Sequence, residues 1–168
     1  NRLPNLTAIE KDSRLHDYLQ QQFRDTPLHL IHGDALRLDW SVLAQEHNNL
    51  VVIGNLPYSI SSPVLEKFLG AFNLLSGAIL LLQKDFVERM VASPATPAYG
   101  PLSVFCQLYF TCQPMFTVGP SVFFPVPTVQ SQVITLLPKP QSNENMDPTF
   151  VRKVTLSVFH ARRKTLVN

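Results

Sequence analysis

Strand-like and helix-like patterns alternate along most of this chain, three successive strand patterns end in a polar residue, and the alternation gives way to a different pattern beyond residue 110. Alternation of this kind predicts an α/β fold built from βαβ units, a mostly parallel sheet with helices on both faces. The late change of pattern predicts an antiparallel edge on that sheet. At 168 residues with 45% hydrophobic content, the chain is long enough to bury a substantial core as one full domain plus a fragment.

The elements follow in order. Leu6-Thr7-Ala8-Ile9-Glu10 reads as a strand ending in a carboxylate. From Asp12 to about Phe23, Leu15, Leu19 and Phe23 fall at helical spacing behind Asp12 or Ser13 as cap. Leu28 to His32 is a second strand, closed by Gly33-Asp34, and a helix is expected from about Ser41 to Glu46. The apolar run Leu50-Val51-Val52-Ile53-Gly54 is a third strand, followed by a loop through Tyr58 and a helix from about Ser62 to Leu69. Gly77 to Gln83 makes a buried strand, succeeded by helices from about Lys84 to Val91 and from Leu102 to about Phe110. Met115–Val118 and Gln132–Leu137 read as the antiparallel edge, flanking the proline-rich loop from Gly119 to Pro127. Lys139 to Pro148 has the composition of a linker, and Phe150 to Thr165 reads as a helix with Val151, Val154, Val158 and Phe159 on one apolar face. The expected organisation is a sheet domain over 1–138, a linker over 139–148, and over 149–168 the first helix of a helical domain whose remainder lies outside the sequence.

Charge and composition exclude several function classes. A net charge of +2 is too mild to argue nucleic-acid binding from the total, so local clustering has to carry it. Arg152, Lys153, His160, Arg162, Arg163 and Lys164 form such a cluster, suited to phosphates and equally to a solvated helix face. The longest apolar stretch, Gly77 to Leu82, is far too short to cross a bilayer. Cys106 and Cys112 form no CxxC and read as buried thiols of a reducing compartment, the cytoplasm. No HExxH occurs among His16, His29, His32, His47 and His160, and the cysteines stand at no zinc spacing, so no metal is expected. A GxSxG nucleophile elbow is also absent.

Asn55-Leu56-Pro57-Tyr58 carries the most chemistry. Ligands of parallel α/β sheets sit beyond the carboxyl ends of the strands, where this tetrapeptide stands. The Asn55 carboxamide oxygen and a backbone carbonyl near Pro57 can accept the two N–H bonds of an exocyclic amine, while Tyr58 offers a face for base stacking. Proline has no N–H and a fixed φ, which stiffens the turn. Taken alone, a strand-to-loop turn bearing proline is as readily structural. Glu10, Asp34 and Asn55 each end a strand, and an ordered set of three points to a nucleoside-binding crevice more strongly than any one loop acid. The six glycines never form GxGxxG or a P-loop, and the strand and glycine-rich turn expected before Glu10 are missing. Phe123-Phe124-Pro125-Val126-Pro127 reads either as packing or as a wall that sandwiches a flipped base against Tyr58.

These residues form an ordered series that resembles the S-adenosylmethionine-dependent ribosomal RNA adenine N6,N6-dimethyltransferases acting on small-subunit (16S-type) rRNA. The series comprises the strand ending at Glu10, His32-Gly33-Asp34-Ala35, Gly54 to Tyr58 with Ser59-Ile60-Ser61, Leu82-Gln83-Lys84, Ala98 to Val104, Phe123 to Ser131, and Arg162-Arg163-Lys164-Thr165-Leu166. The resemblance implies a Rossmann-like class I methyltransferase domain followed by a small helical domain. It implies that S-adenosylmethionine is held by Glu10 at its ribose and by Asp34 and Ala35 at its adenine. Asn55 belongs to that cofactor-binding set and, with Leu56, Pro57 and Tyr58, to the catalytic one. Tyr58 and Phe123 would clamp the target adenine, and Arg162, Arg163 and Lys164 would meet RNA. The implied partners are small-subunit rRNA and the immature small subunit, met by a cytoplasmic monomer. Thr128 and Gln130 depart from the Lys and acidic residue common in the family, so contacts there are expected to differ. Two rival readings stand: an adenine-N6 methyltransferase of large-subunit rRNA or DNA, and an RNA-binding assembly module without essential catalysis.

Overall fold

A computed structural model describes residues 6–46, 49–140 and 147–160. The chain forms two compact units that divide between Trp40 and Ser41.

The first unit is a βαβ module. β1 (Leu6–Glu10) and β2 (Leu28–His32) pair in parallel, with Leu6 opposite Leu28 and Glu10 opposite His32. α1 (Ser13–Gln22) connects them; the Asp12 carboxylate caps it by accepting from the N–H groups of Arg14 and Leu15 at 2.9 and 3.0 Å. Beyond β2 the backbone turns back, with the Gly33 N–H donating to the Glu10 carbonyl at 2.9 Å, so the two strands end together. Trp40 is buried and its indole N–H donates to the Ala35 carbonyl at 3.2 Å, pinning the loop after β2.

Trp40 also opens α2 (Trp40–Glu46), which leads into the second unit. There the strand order is β3-β4-β6-β5, formed by β3 (Leu50–Asn55), β4 (Leu75–Gln83), β5 (Phe110–Val118) and β6 (Ser131–Pro138). β3 and β4 are parallel, whereas β6 runs antiparallel to both β4 and β5. The expected antiparallel edge is therefore present. β4 is paired on both sides, and Ala78, Leu80 and Leu82, which share one face, are buried, whereas Ile79 on the opposite face is exposed despite the near-continuous apolar sequence. α3 (Ser61–Gly70) contributes Val64, Leu65 and Phe68 to the core, and α4 (Lys84–Met90) adds Phe86, Val87 and Met90. α5 (Pro101–Tyr109) starts with proline at its first turn, where a missing N–H costs nothing. Its Ser103 hydroxyl accepts from the Gly100 N–H and donates to the Arg89 carbonyl, while the Gln107 amide donates to the carbonyls of Met90 and Ala92. Those bonds lock α5 to the end of α4.

Two boundaries differ from expectation for identifiable reasons. The helix expected to reach Phe110 stops at Tyr109, because Phe110 is already extended (φ −128°, ψ 148°), and β5 begins there rather than at Met115. Pro114 hides that strand in the sequence, since a proline without N–H argues against a strand interior; β5 tolerates it as an edge, with a register shift between Pro114 and Thr117. The final helix, α6 (Pro148–His160), packs on α5 through residues four apart: Val151 and Phe159 are half-buried and Thr155 is buried, with the Phe159 ring 5.9 Å from that of Tyr99. Val154 and Val158, expected on the packed face, are exposed instead, because the 151-155-159 row rather than the 150-154-158 row meets α5. Among the described residues no helix is long and apolar enough to cross a membrane.

Candidate active site

In the first unit the parallel strands bring two acids to one end. Glu10 closes β1, and its Oε1 accepts from the Asp12 N–H at 2.8 Å, which fixes the side chain and leaves Oε2 as an acceptor. Asp34 follows β2. Its Oδ1 accepts from the Leu36 N–H at 2.9 Å, an Asx-type turn, and its Oδ2 meets the Lys11 ammonium at 2.9 Å. The Lys11 bond and the Leu36 N–H hold the Asp34 carboxyl below the ordinary aspartate range, so it is an anion and an acceptor at neutral pH. The Ala35 peptide is held from below by Trp40. Acceptors of this kind, on rigid backbone at strand ends, fit the hydroxyls of a ribose and the amino group of an adenine. A cavity of about 520 Å³ lined by Leu19, Phe23, Arg24, Leu28 and Leu30 sits at the opposite, amino-terminal end of β2. It has no carboxylate in its lining and no connection with Glu10 or Asp34.

In the second unit the turn after β3 is built from the backbone outward. Gly54 leaves room there: a Cβ at this position would lie 3.0 Å from Leu56 Cδ2 and 3.4 Å from Leu80 Cδ2, so a larger residue would make the Leu56 side chain give by a few tenths of an ångström. Pro57 (φ −54°, ψ 134°) leads into a 3-10 turn over Tyr58–Ile60, and its carbonyl accepts from the Ile60 N–H at 3.0 Å. That bond uses one of the two lone pairs of the Pro57 oxygen, and the Leu56 carbonyl stands beside it as a further backbone acceptor. Asn55 is exposed, and its carboxamide makes no hydrogen bond among the described residues. Two acceptors thus stand in succession at the carboxyl end of β3. Tyr58 is half-buried, and its hydroxyl lies 2.7 Å from the hydroxyl of Ser131 at the start of β6. Ser131 is fully buried.

Ser131 also organises the proline-rich loop. It pairs with Val118 across β5 and β6 and with Gln83 across β4 and β6, so the loop leaves and returns beside the anchor of Tyr58. Phe123 sits in that loop, half-buried, after a 3-10 turn over Pro120–Val122 in which its N–H donates to the Pro120 carbonyl. Its neighbours Val122, Phe124 and Val126 are exposed. Gln130, next to Ser131, accepts from the Lys84 N–H through its carbonyl at 2.9 Å and from the Lys84 ammonium through its side chain at 3.3 Å. The second unit therefore brings Asn55, Leu56, Pro57, Tyr58 and the base of the Phe123 loop together, and the first brings Glu10, Asp34 and Ala35 together. Arg162, Arg163 and Lys164 lie outside the described residues. Sequence reasoning missed Ser131 and Lys11 as site residues; the short polar–apolar pattern at Gln130-Ser131-Gln132 marks a strand start but not a partner for Tyr58.

Comparison with known proteins bears on this geometry. Residues 1–168 match the family model described as ribosomal RNA adenine dimethylase. The ribosomal RNA small subunit methyltransferase A of Geobacter metallireducens is 43% identical, the match covering 100% of this chain and 62% of that protein. Its counterpart in Nitrosococcus oceani is 39% identical over 99% of this chain and 64% of its own length. The chain spans about three fifths of the length of these curated relatives. Among solved structures, a dimethyladenosine transferase from Plasmodium falciparum superposes with a TM-score of 0.83 at 28% identity, covering 96% of this chain and 57% of that one. The 23S rRNA methyltransferase ErmE matches with a TM-score of 0.74 at 20% identity, a likeness of fold. The architecture is Rossmann-like, as these neighbours share it. With residues 1–168 matched to the family model and the strand-end acceptors in place, the chain belongs to the ribosomal RNA adenine dimethylase family.

Proposed function

We propose that the protein transfers methyl groups from S-adenosylmethionine to the N6 amine of adenines in small-subunit rRNA, twice per adenine, during assembly of the small ribosomal subunit. It acts in the cytoplasm as a monomer. The observation that carries this reading is the turn after β3, where the Asn55 carboxamide has no hydrogen-bond partner among the described residues and stands next to the Leu56 carbonyl. A polar side chain left unpaired on a stiff turn is suited to a ligand that donates two N–H bonds.

Each residue then has a defined task. Glu10 accepts from ribose hydroxyls, and Asp34 with the Ala35 backbone recognises the adenine of the cofactor; Asn55 contributes to both cofactor and substrate binding. When bound, S-adenosylmethionine supplies an electrophilic methyl group on a sulfonium. Asn55 and the Leu56 carbonyl hold the target amine and turn its lone pair outward, and Pro57 keeps the turn from relaxing. Tyr58 and Phe123 hold the adenine ring between them. No protein base is needed, because the methylated amine is acidic enough to lose its proton to water. A neutral Asn55 still accepts from the single N–H that remains after the first transfer. Lys153 and the Arg162-Arg163-Lys164 segment supply cations for the RNA backbone.

The test is methyl transfer from labelled cofactor to undermethylated small subunits, with naked large-subunit rRNA and DNA as competitors. Dimethyladenosine confined to small-subunit rRNA is the expected product. Asn55→Ala should lower kcat by roughly 100-fold, in line with loss of one preorganised polar contact to the reacting group, while RNA affinity is kept. Full turnover by that variant would sink the assignment, and labelled DNA or large-subunit rRNA would redirect it to the rival substrates.

A further inference from the structure

The loop from Gly119 to Pro127, between β5 and β6, carries no charged side chain, yet it holds the most exposed large apolar residue among the described ones. Phe124 is 100% exposed, with Val122 at 69% and Val126 at 64% on either side of it. A single exposed valine is ordinary, whereas a fully solvated phenyl ring between two exposed valines is an apolar surface without a partner.

The loop is stiff from foot to tip. Its far foot, Ser131, is fully buried, paired with Gln83 and Val118, and 2.7 Å from the Tyr58 hydroxyl. Nearer its start the Phe123 N–H donates to the Pro120 carbonyl at 3.1 Å. Pro125 and Pro127 have fixed φ, and each restricts the residue before it, Phe124 and Val126, to extended backbone. Phe123 is itself extended (φ −109°, ψ 151°), so its side chain and that of Phe124 leave opposite sides of the chain. The half-buried ring of Phe123 is turned toward the protein, and the solvated ring of Phe124 is held away from it.

We infer that Phe124 is a wedge that enters the RNA base stack as the target adenine leaves it. In the adenine-methylating reading above, on which this depends, Tyr58 and Phe123 hold the extruded base. That base arrives from solvent, the side to which Phe124 points, so the RNA it has left lies against Phe124. Extruding a base opens a gap between its neighbours and costs their stacking. An apolar ring inserted into the gap restores a stack, which is how inserted Phe and Leu side chains hold nucleic acid open elsewhere. The chemistry of the loop agrees: phosphates call for cations, and an uncharged apolar tip suits the faces of bases. A ring already fixed outward by prolines loses little freedom on insertion and exchanges a solvated surface for a buried one.

The experiment is single-turnover methyl transfer by the wild type, Phe124→Ala and Phe124→Trp on two substrates. One is small subunits reconstituted with unmethylated rRNA; the other is the same subunits with abasic sites on both sides of the methylated adenine, where no stack has to be broken. On intact RNA, Phe124→Ala should be about tenfold slower, the size of one lost base–aromatic stack, and Phe124→Trp should keep the wild-type rate. On the abasic RNA, wild type and Phe124→Ala should run at the same rate. Both variants should melt at the wild-type temperature, because a fully solvated side chain holds nothing in the fold. An unchanged rate for Phe124→Ala on intact RNA would overturn the wedge and leave the methyltransferase reading standing. An equal loss on both substrates would also overturn it, since that marks a role in the pocket and not in the stack. No transfer by the wild type to intact subunits would remove the reading and the wedge together.

Discussion

Tyr58 and Ser131 stand 73 positions apart in the sequence, yet their hydroxyls lie 2.7 Å apart, and the buried member is the serine. For the base-stacking role proposed for Tyr58, a tied-down far end is an advantage, because the order is then in place before the ligand arrives. Ser131→Ala and Tyr58→Phe should each cost about 1 kcal/mol of stability, the net value of one hydrogen bond, and slow turnover by a similar factor. The double variant should cost little more than either single one. Urea denaturation and steady-state kinetics on the four proteins decide it, and fully additive losses would mean that the two hydroxyls do not act together. Of the candidate site, Asn55, Tyr58, Glu10 and Asp34 were legible in the sequence because each follows a strand pattern. Ser131 was not, since a hydrogen bond across the sheet leaves no local signal. Pro57 was legible as a stiffener, but its carbonyl's bond to Ile60 was not, as that bond depends on the 3-10 turn that follows.

Strands β1 and β2 end in acids, and the loops that follow them are joined by the Lys11–Asp34 ion pair at 2.9 Å. This pair gives the first unit a pH dependence whose sign follows from Asp34. Its folded pKa lies below the ordinary value, chiefly through Lys11, so the folded state holds the proton less tightly than the unfolded chain. The stabilisation is complete above the unfolded aspartate value of about 4 and is lost as pH falls through the lower folded value. Lys11→Met removes the largest cause, and its stability should fall less steeply than that of the wild type between about pH 5 and pH 2. Parallel acid limbs in denaturant titrations of the two proteins would refute the linkage. At this scale the strands β1 to β4 and the helices between them were readable from alternation and apolar runs. The extent of β5 was not: its opening residues Phe110 to Gln113 continue the apolar pattern of α5, and only the extended backbone at Phe110 separates the two. The packed face of α6 was likewise ambiguous, because valines occupy both rows and the choice was made by its neighbour α5.

For the molecule as a whole, the family assignment rests on a match from the first residue to the last, while the roles of individual residues rest on geometry within each unit. The net charge of +2 is modest for the RNA-directed role proposed above, and among the described residues of α6 Arg152 is drawn to Glu66 at 3.1 Å, leaving Lys153 as the neighbouring exposed cation. One feature of the second sheet bears on how such a protein survives at high concentration. Among the described residues β5 has a strand partner on one side only, and its Met115 and Phe116 are exposed. An edge of that kind is a template on which strands from other chains can grow. Pro114 removes a donor from it and the register shift beside it breaks the flat ladder, so the sheet is blunted against self-recruitment where it is most apolar. Pro114→Val should leave the unfolding midpoint nearly unchanged and raise the rate of light-scattering growth on incubation; identical growth curves would show that the proline guards nothing. The residue that made β5 hard to find in the sequence would then be what keeps neighbouring chains from extending it into a fibril.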